Sequence, residues 1–401
     1  NTEIASSSAA TATVTPTTDS TEVPASNNVF TSAGDGLYVT TDSGIYELQT
    51  VFPDSANIFY TDANTKERIF LCANPNCTHA DESCPSYIAT PSAMFPPMLL
   101  RVGDQLLVVF TEATDSSNPH GMLMNMDGSN RRTVFELASN QYMQGGFCTS
   151  GNDLYFDLYE INDSGNVTYQ LWYVSFENGT SEKVMDLGSD SDHYSLCDGA
   201  NNELCFNHVS SDGISYCMYN PQSKTISDPF FVDSSVSGNS MIQDGYLFVL
   251  DEQASSVQRI RLSDEEQASA SFTVKEGFGA PSMRYLFDGN LMITEAQTTA
   301  SDIPTDGSYG ACSYILDFGT RNCTEFTLQT PYNNRPVYVL TTIGDACYVA
   351  TDYKTYTPTS VSEDGTVSNF DYVANIYAFI TKQDYINSNQ NGYSMVKDAF
   401  E

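Results

Sequence analysis

Seven recurrences of one turn-then-strand motif, alternating apolar stretches between them and almost no stretch of helical period predict an all-β fold. The architecture they point to is a seven-bladed β-propeller with four-stranded antiparallel blades.

The motif is a Gly, Asp or Asn-rich turn that runs into an apolar strand. It reads GDGLYV (34–39), GDQLLV (103–108), GNDLYF (151–156), NNELCF (201–206), DGYLFV (244–249), DGNLMI (288–293) and GDACYV (344–349). The anchors Leu37, Leu106, Leu154, Leu204, Leu247, Leu291 and Cys347 are 69, 48, 50, 43, 44 and 56 residues apart. Spacings of about 40 to 50 residues are those of propeller blades. The long first interval is read as an insertion at about 72–96. Four strands are legible in the first blade, at 36–41, 44–50, 57–62 and 67–72.

Alternation of period two marks a third strand in several blades. The stretches are LWYVSFENG from Leu171, QRIRLSDE from Gln258, YILDFGT from Tyr314 and IYAFITKQD from Ile376. The last blade has its own four strands, ending near Tyr393 to Val396, which leaves ring closure to packing or to a strand ahead of Val29. The propeller thus spans 29–401. Residues 1–28 are rich in Ser and Thr with two Pro and no aromatic residue, so they bury too little surface to offset ordering entropy and read as a tether.

The 16 basic residues against 51 acidic ones give a formal charge of −35. Such a field repels polyanions and excludes a nucleic-acid binder or a direct anionic-membrane ligand. No apolar run nears the roughly 18 residues of a spanning helix. A chain that starts without Met on a Ser/Thr-rich segment reads as a mature exported protein, joined to a membrane only through an upstream lipid anchor. The mixed polar and acidic surface favours a monomer.

Ten cysteines in an exported chain suggest disulfides. Cys312 with Cys323 and Cys205 with Cys217 would face each other across hairpins, and Cys148 could meet Cys197 across a blade interface. The sharper feature is LCANPNCTHADESC, which spaces Cys72-x4-Cys77-x-His79-x4-Cys84. Three thiolates and an imidazole are the complement of a closed tetrahedral zinc site. The alternative is a disulfide from Cys72 or Cys77 to Cys84, with the remaining Cys paired to a distant partner such as Cys347. Both readings give a structural role, because neither leaves an open coordination position.

The string Leu71-Cys72-x4-Cys77-x-His79-x4-Cys84-x2-Tyr87, preceded by IFYTDANTKERIF, resembles the uncharacterised propeller-like lipoproteins exported by Gram-positive gut bacteria. The likeness is close over the first blade and its exit loop, and general elsewhere. It implies a propeller fold and a tethered extracytoplasmic location. It carries no catalytic residue.

Loops entering the innermost strands converge on one channel mouth. The residues ahead of the anchors there are Phe95, Arg101, Tyr142, His193, Tyr194, Arg284 and Arg335. Arginines in so acidic a chain either contact an anionic sugar or pair with local carboxylates. The four histidines stand in no GxSxG or HExxH context, and neither an Asp-box nor a WD signature occurs. The expected function is a tethered binding or scaffold propeller for a glycan, peptide or protein. The alternative is an extracytoplasmic carbohydrate-active enzyme using paired carboxylates at the channel mouth.

Overall fold

The computed structural model describes residues 31–32, 36–52, 55–90, 96–114, 116–233, 240–297, 311–356, 359–361, 367–369 and 372–399. The tether at 1–28 and Phe95 lie outside them.

The described strands follow one another as antiparallel four-stranded meanders. The first runs Tyr38–Thr40, Gly44–Phe52, Ser55–Asp62 and Arg68–Phe70. The second extends from Met98–Val102 to Arg132–Glu136, the third from Gln141–Ser150 to Thr180–Ser189 and the fourth from Asp192–Ala200 to Thr225–Ile226. The fifth extends from Ser240–Gln243 to Gln267–Ser271 and the sixth from Phe278–Tyr285 to Asn322–Phe326. A seventh set runs Val339–Ile343, Ala346–Tyr356, Tyr372–Thr381 and Ser394–Met395. All four alternating stretches lie in third strands, Val167–Ser175, Ser256–Arg261, Ala311–Asp317 and Tyr372–Thr381. The third and fourth sets share one sheet through the pairs Gly188↔His193 and Ser189↔Asp192.

The motif's composition has a backbone cause. Asp244-Gly245 and Asp288-Gly289 have φ of 53° and 75°, and 53° and 71°. Two successive positive φ values make the mirror-image turn whose twist matches a hairpin, and Asp-Gly is the pair that adopts it at least cost. Six motifs lead into second strands, but GDGLYV leads into the first strand, Tyr38–Thr40. The first interval is therefore long for two reasons, a shift of one strand and the loop after Phe70.

The core is divided between neighbours. Leu48 and Ile58 pack with Leu99 and Leu106 between the first and second meanders. Leu107 and Phe135 pack with Phe147 and Phe156 between the second and third. The same pattern continues around the chain, with Leu171 and Phe206, Cys205 and Leu247, Phe248 and Leu291, and Ile315 and Val349 joining successive pairs. The last cluster joins Ile45 of the first meander to Tyr348, Tyr377 and Phe379 of the seventh. Second strands such as Gln105–Phe110 are buried on both faces by this arrangement, which is why QLLVVF is nearly all apolar.

The junction between first and seventh meanders is polar at its centre. Arg68, 1% exposed, donates from Nε to Glu47 Oε2 at 3.0 Å and from Nη1 to Asp398 Oδ1 at 3.2 Å. Its guanidinium lies 3.7 Å from the Phe59 ring centroid, and Tyr377 donates its hydroxyl to Glu47 Oε1 at 2.5 Å. Burial works against the Arg68 charge, yet the Glu47 carboxylate holds its pKa above the ordinary value. Main-chain bonds from Arg68 N to Lys397 O and from Lys397 N to Lys66 O, both 2.9 Å, add a short parallel bridge. At the amino end, Thr31–Ser32 pairs with Gln141–Ser150 of the third meander, not with the seventh.

All ten cysteines are free thiols, so the expected hairpin disulfides are absent. Register explains it. Cys205 lies opposite Met218 and Cys217 opposite Phe206, an offset of one residue that sends the two sulfurs to opposite faces. Cys323 lies opposite Leu316, four residues along the strand from Cys312.

Breaking the buried pair strands a charge. Arg68→Met should lower stability by about 3–5 kcal/mol by leaving Glu47 unpaired, and adding Glu47→Gln should recover part of that loss. Urea midpoints of the two variants check this, and equal losses in both would contradict it.

Candidate functional site

A cavity of about 630 Å³ opens where three consecutive meanders begin. Met98 of the second, Met143, Gly146, Asp157 and Tyr159 of the third, and Leu196 of the fourth line it. It exists because the first strand of the third meander bulges. The register slips between Met143 and Phe147, and Gly145 takes a φ of +102°, open to glycine and strained for other residues. Gly146 lets the strands close up behind the bulge, since a Cβ there would lie 2.2 Å from the Leu196 carbonyl oxygen and 2.6 Å from Asp157 Oδ1.

Asp157 is 1% exposed and half satisfied. The Leu196 amide donates to Oδ2 at 3.1 Å, while Oδ1 has no hydrogen-bond partner among the described residues. Burial pushes its carboxyl up to about 7, against the pull of the Leu196, Asp157 and Gly146 amides. Asp198 makes an instructive contrast. It is equally buried and raised by burial to about 6, but Gly199 N donates to one oxygen at 2.8 Å and Gly245 N to the other at 2.9 Å. Asp198 is a staple between the fourth and fifth meanders, whereas Asp157 retains an unused acceptor beside a cavity.

Tyr159 of the cavity wall belongs to a row of rings. Tyr142 stacks on Tyr159 at 5.1 Å, Tyr159 leans on Tyr169 at 6.1 Å and Tyr169 stacks on His193 at 3.9 Å. The next pair, Tyr194 on His208 at 4.2 Å, is held by His208 Nε2 against Asp192 Oδ1 at 2.7 Å. The structure therefore gathers Tyr142, His193 and Tyr194 around the start of the third and fourth meanders.

The arginines lie elsewhere. Arg101 sits at the turn end of Met98–Val102, where its Nε donates to the Gly103 carbonyl at 2.9 Å and its Nη2 lies 3.5 Å from Asp104. Arg284, also near the end of its strand, packs 4.3 Å from the Tyr338 ring centroid. Arg335 precedes Val339–Ile343, and its carbonyl accepts from Thr330 N at 2.8 Å. Arg101 and Arg284, just ahead of second strands, are put at the far end of their first strands from the cavity, whereas Arg335 precedes a first strand but belongs to the seventh meander. Gly145, Gly146, Asp157 and Tyr159 were not among the residues singled out from the sequence. The signal for them was a Gly-Gly pair inside a strand and an Asp in the apolar run DLYFDLYE.

A second cluster stands apart. Cys72, Cys77, His79 and Cys84 each bring one donor atom, and the four atoms lie within 4.8 Å of one another. Such a set could hold a metal ion.

The architecture is that of a β-propeller. The chain is similar to the β-propeller domain of the Trilobed protease from Pyrococcus furiosus, with 12% identity, a TM-score of 0.38 and coverage of 76% of this chain and 99% of that one. It is similar to oligogalacturonate lyase from Vibrio parahaemolyticus, with 10% identity, a TM-score of 0.40 and coverage of 86% and 88%. Against the tricorn protease the values are 10% and 0.32, and the chain covers 35% of that protein's length. No protein-family model and none of the curated proteins matches the sequence.

Asp157 makes stability depend on pH. Its folded pKa of about 7 lies above the ordinary 3.8, so its contribution is fully present below pH 4 and is lost as pH rises through 7. The loss amounts to up to about 4 kcal/mol. Asp157→Asn should therefore gain stability over the wild type at pH 8 relative to pH 5. Melting curves of both proteins at the two pH values check this, and parallel shifts would contradict it.

Proposed function

We propose that this protein is a binding module, a closed ring of seven blades tethered outside the cell, that takes its ligand in the cavity beside Asp157. The observation that carries the reading is the cavity itself. Its volume of about 630 Å³ falls in the range of small-ligand sites, and its walls combine Met, Leu and Tyr with a single buried carboxylate that has an acceptor to spare. The seven shared core clusters support the ring, because the last of them joins the final meander to the first.

The ligand class that fits is a glycan or peptide with an apolar face and a donor or cationic group directed at Asp157. The net charge of −35 favours such a group by attraction and disfavours polyanions. Its place outside the cell is supported by the resemblance of the 58–87 segment to exported propeller-like lipoproteins. The choice of binding over hydrolysis rests on the lining. Acid and base work on a glycosidic bond needs two carboxyls about 5 to 10 Å apart, and Asp157 is the one carboxylate among these lining residues.

Calorimetric titration against panels of oligosaccharides and of basic peptides tests the proposal. The wild type should bind a member of one panel, and Tyr159→Ala and Gln144→Ala, the latter at a residue that also lines the cavity, should each weaken it about tenfold, or about 1.4 kcal/mol. Asp157→Asn should remove the pH dependence of affinity around pH 7. Unchanged affinity in all three variants, or product formation by the wild type, would overturn the reading.

A further inference from the structure

We propose that Cys72, Cys77, His79 and Cys84 form a closed tetrahedral site for one structural zinc ion at the exit of the first meander. The donor atoms lie within 4.8 Å of one another, near the edges of about 3.8 Å of a tetrahedron with Zn–S bonds of about 2.3 Å, so a small closure brings all four onto one ion. His79 Nδ1 lies 3.2 Å from Cys84 Sγ, so that nitrogen faces the cluster. Three soft sulfurs and one imidazole select zinc over hard cations.

The loop is wound to present these atoms. Tight turns close from Cys77 N to Asn74 O at 3.2 Å, from Cys84 N to Asp81 O at 3.0 Å and from Tyr87 N to Cys84 O at 3.1 Å. The His79 amide donates to Cys77 Sγ at 3.4 Å, which ties the backbone between two of the proposed ligands to the cluster. His79 holds a φ of +55°, a conformation costly for a residue with a side chain, and its ring stacks on Phe70 at 4.0 Å and 8°.

Outer contacts lock the set. Ser86 Oγ lies 3.1 Å from Cys84 Sγ, and Asn57 Nδ2 donates to Ser86 Oγ at 3.0 Å and to the His79 carbonyl at 3.1 Å. Orientation of metal ligands by such second partners is the usual design of a metal site. Meanwhile the loop has almost no core. Between Cys72 and Ser86 only Cys84 and Ser86 are buried, so apolar packing does not explain its defined shape. A structural metal does, because its binding free energy becomes folding free energy. A disulfide would use two sulfurs and leave the third sulfur and the imidazole without purpose, and the three thiols are free.

Four protein donors leave no position for substrate, which makes the site structural. Its effect is directional. The knuckle delivers the chain to Tyr87–Ala89, which pairs with Ser55–Asp62, and Arg131 of the second meander donates to the Tyr87 carbonyl at 2.7 Å. Pro96 and Met98, which line the cavity, come next in the chain.

The test is metal analysis of the full chain purified from zinc-supplemented culture without chelator. One zinc per chain is expected, lost in Cys84→Ala, retained in His79→Cys and retained in Cys323→Ser, whose thiol lies on another meander. Exchange of the wild type into cobalt should give the visible bands of a tetrahedral thiolate complex, which decides the matter even if Cys84→Ala fails to fold. Metal-free wild type with a disulfide found by mass spectrometry among Cys72, Cys77 and Cys84 would overturn the proposal. So would zinc whose stoichiometry Cys84→Ala and His79→Ala leave unchanged.

Discussion

The buried guanidinium of Arg68 is the constraint on which the ring depends. A repeated meander buries its apolar faces only against its neighbours, so both end meanders are incomplete until they meet. Junctions between sequence neighbours form at small entropic cost. The junction of first and last meanders joins groups 330 residues apart, as in the Tyr377 to Glu47 bond. Apolar surface alone would let many blade faces meet there. A charge that is 1% exposed, already paired with Glu47 and set over Phe59 within the first meander, admits only a partner that supplies Asp398 and the aromatic face of Tyr377 together. Closure is thus written in side chains and in two main-chain bonds, since each end meander already has four strands of its own.

Much of the fold was legible because its signals are local. Turn chemistry at Asp244-Gly245 and alternation in YILDFGT depend only on residues next to one another, and the structure places both as read. The meaning of Leu37 was not legible. Its motif is identical in kind to the others, but among the described residues no strand precedes Tyr38–Thr40 in its own sheet, a fact about pairing and not about composition. Cysteine pairing failed for a related reason. A register offset of one residue between Cys205 and Cys217 reverses a face, and residue spacing around a turn does not reveal that offset.

The candidate site divides in the same way. Cys72, Cys77, His79 and Cys84 converge within one loop, where spacing in sequence bounds separation in space. The cavity draws on Met98, Asp157 and Leu196, from three meanders, and only the assembled ring brings them together. Tyr142, His193 and Tyr194 lie at or near the starts of first strands but are not among the residues that line the cavity. Asp157 was hidden in the middle of a second strand, and its importance comes from the bulge at Gly145 and Gly146 opposite it.

The shared sheet of the third and fourth meanders has a mechanical consequence. Neighbouring blades ordinarily touch through side chains and can slide or tilt, but the Gly188↔His193 and Ser189↔Asp192 ladder makes these two a single stiff plate. Leu196 and Asp157 lie on either side of that weld, tied further by the Leu196 amide. One wall of the cavity is accordingly an anvil. The opposite wall has no such brace to it, because Met98 belongs to a meander that, among the described residues, shares no strand ladder with the other two.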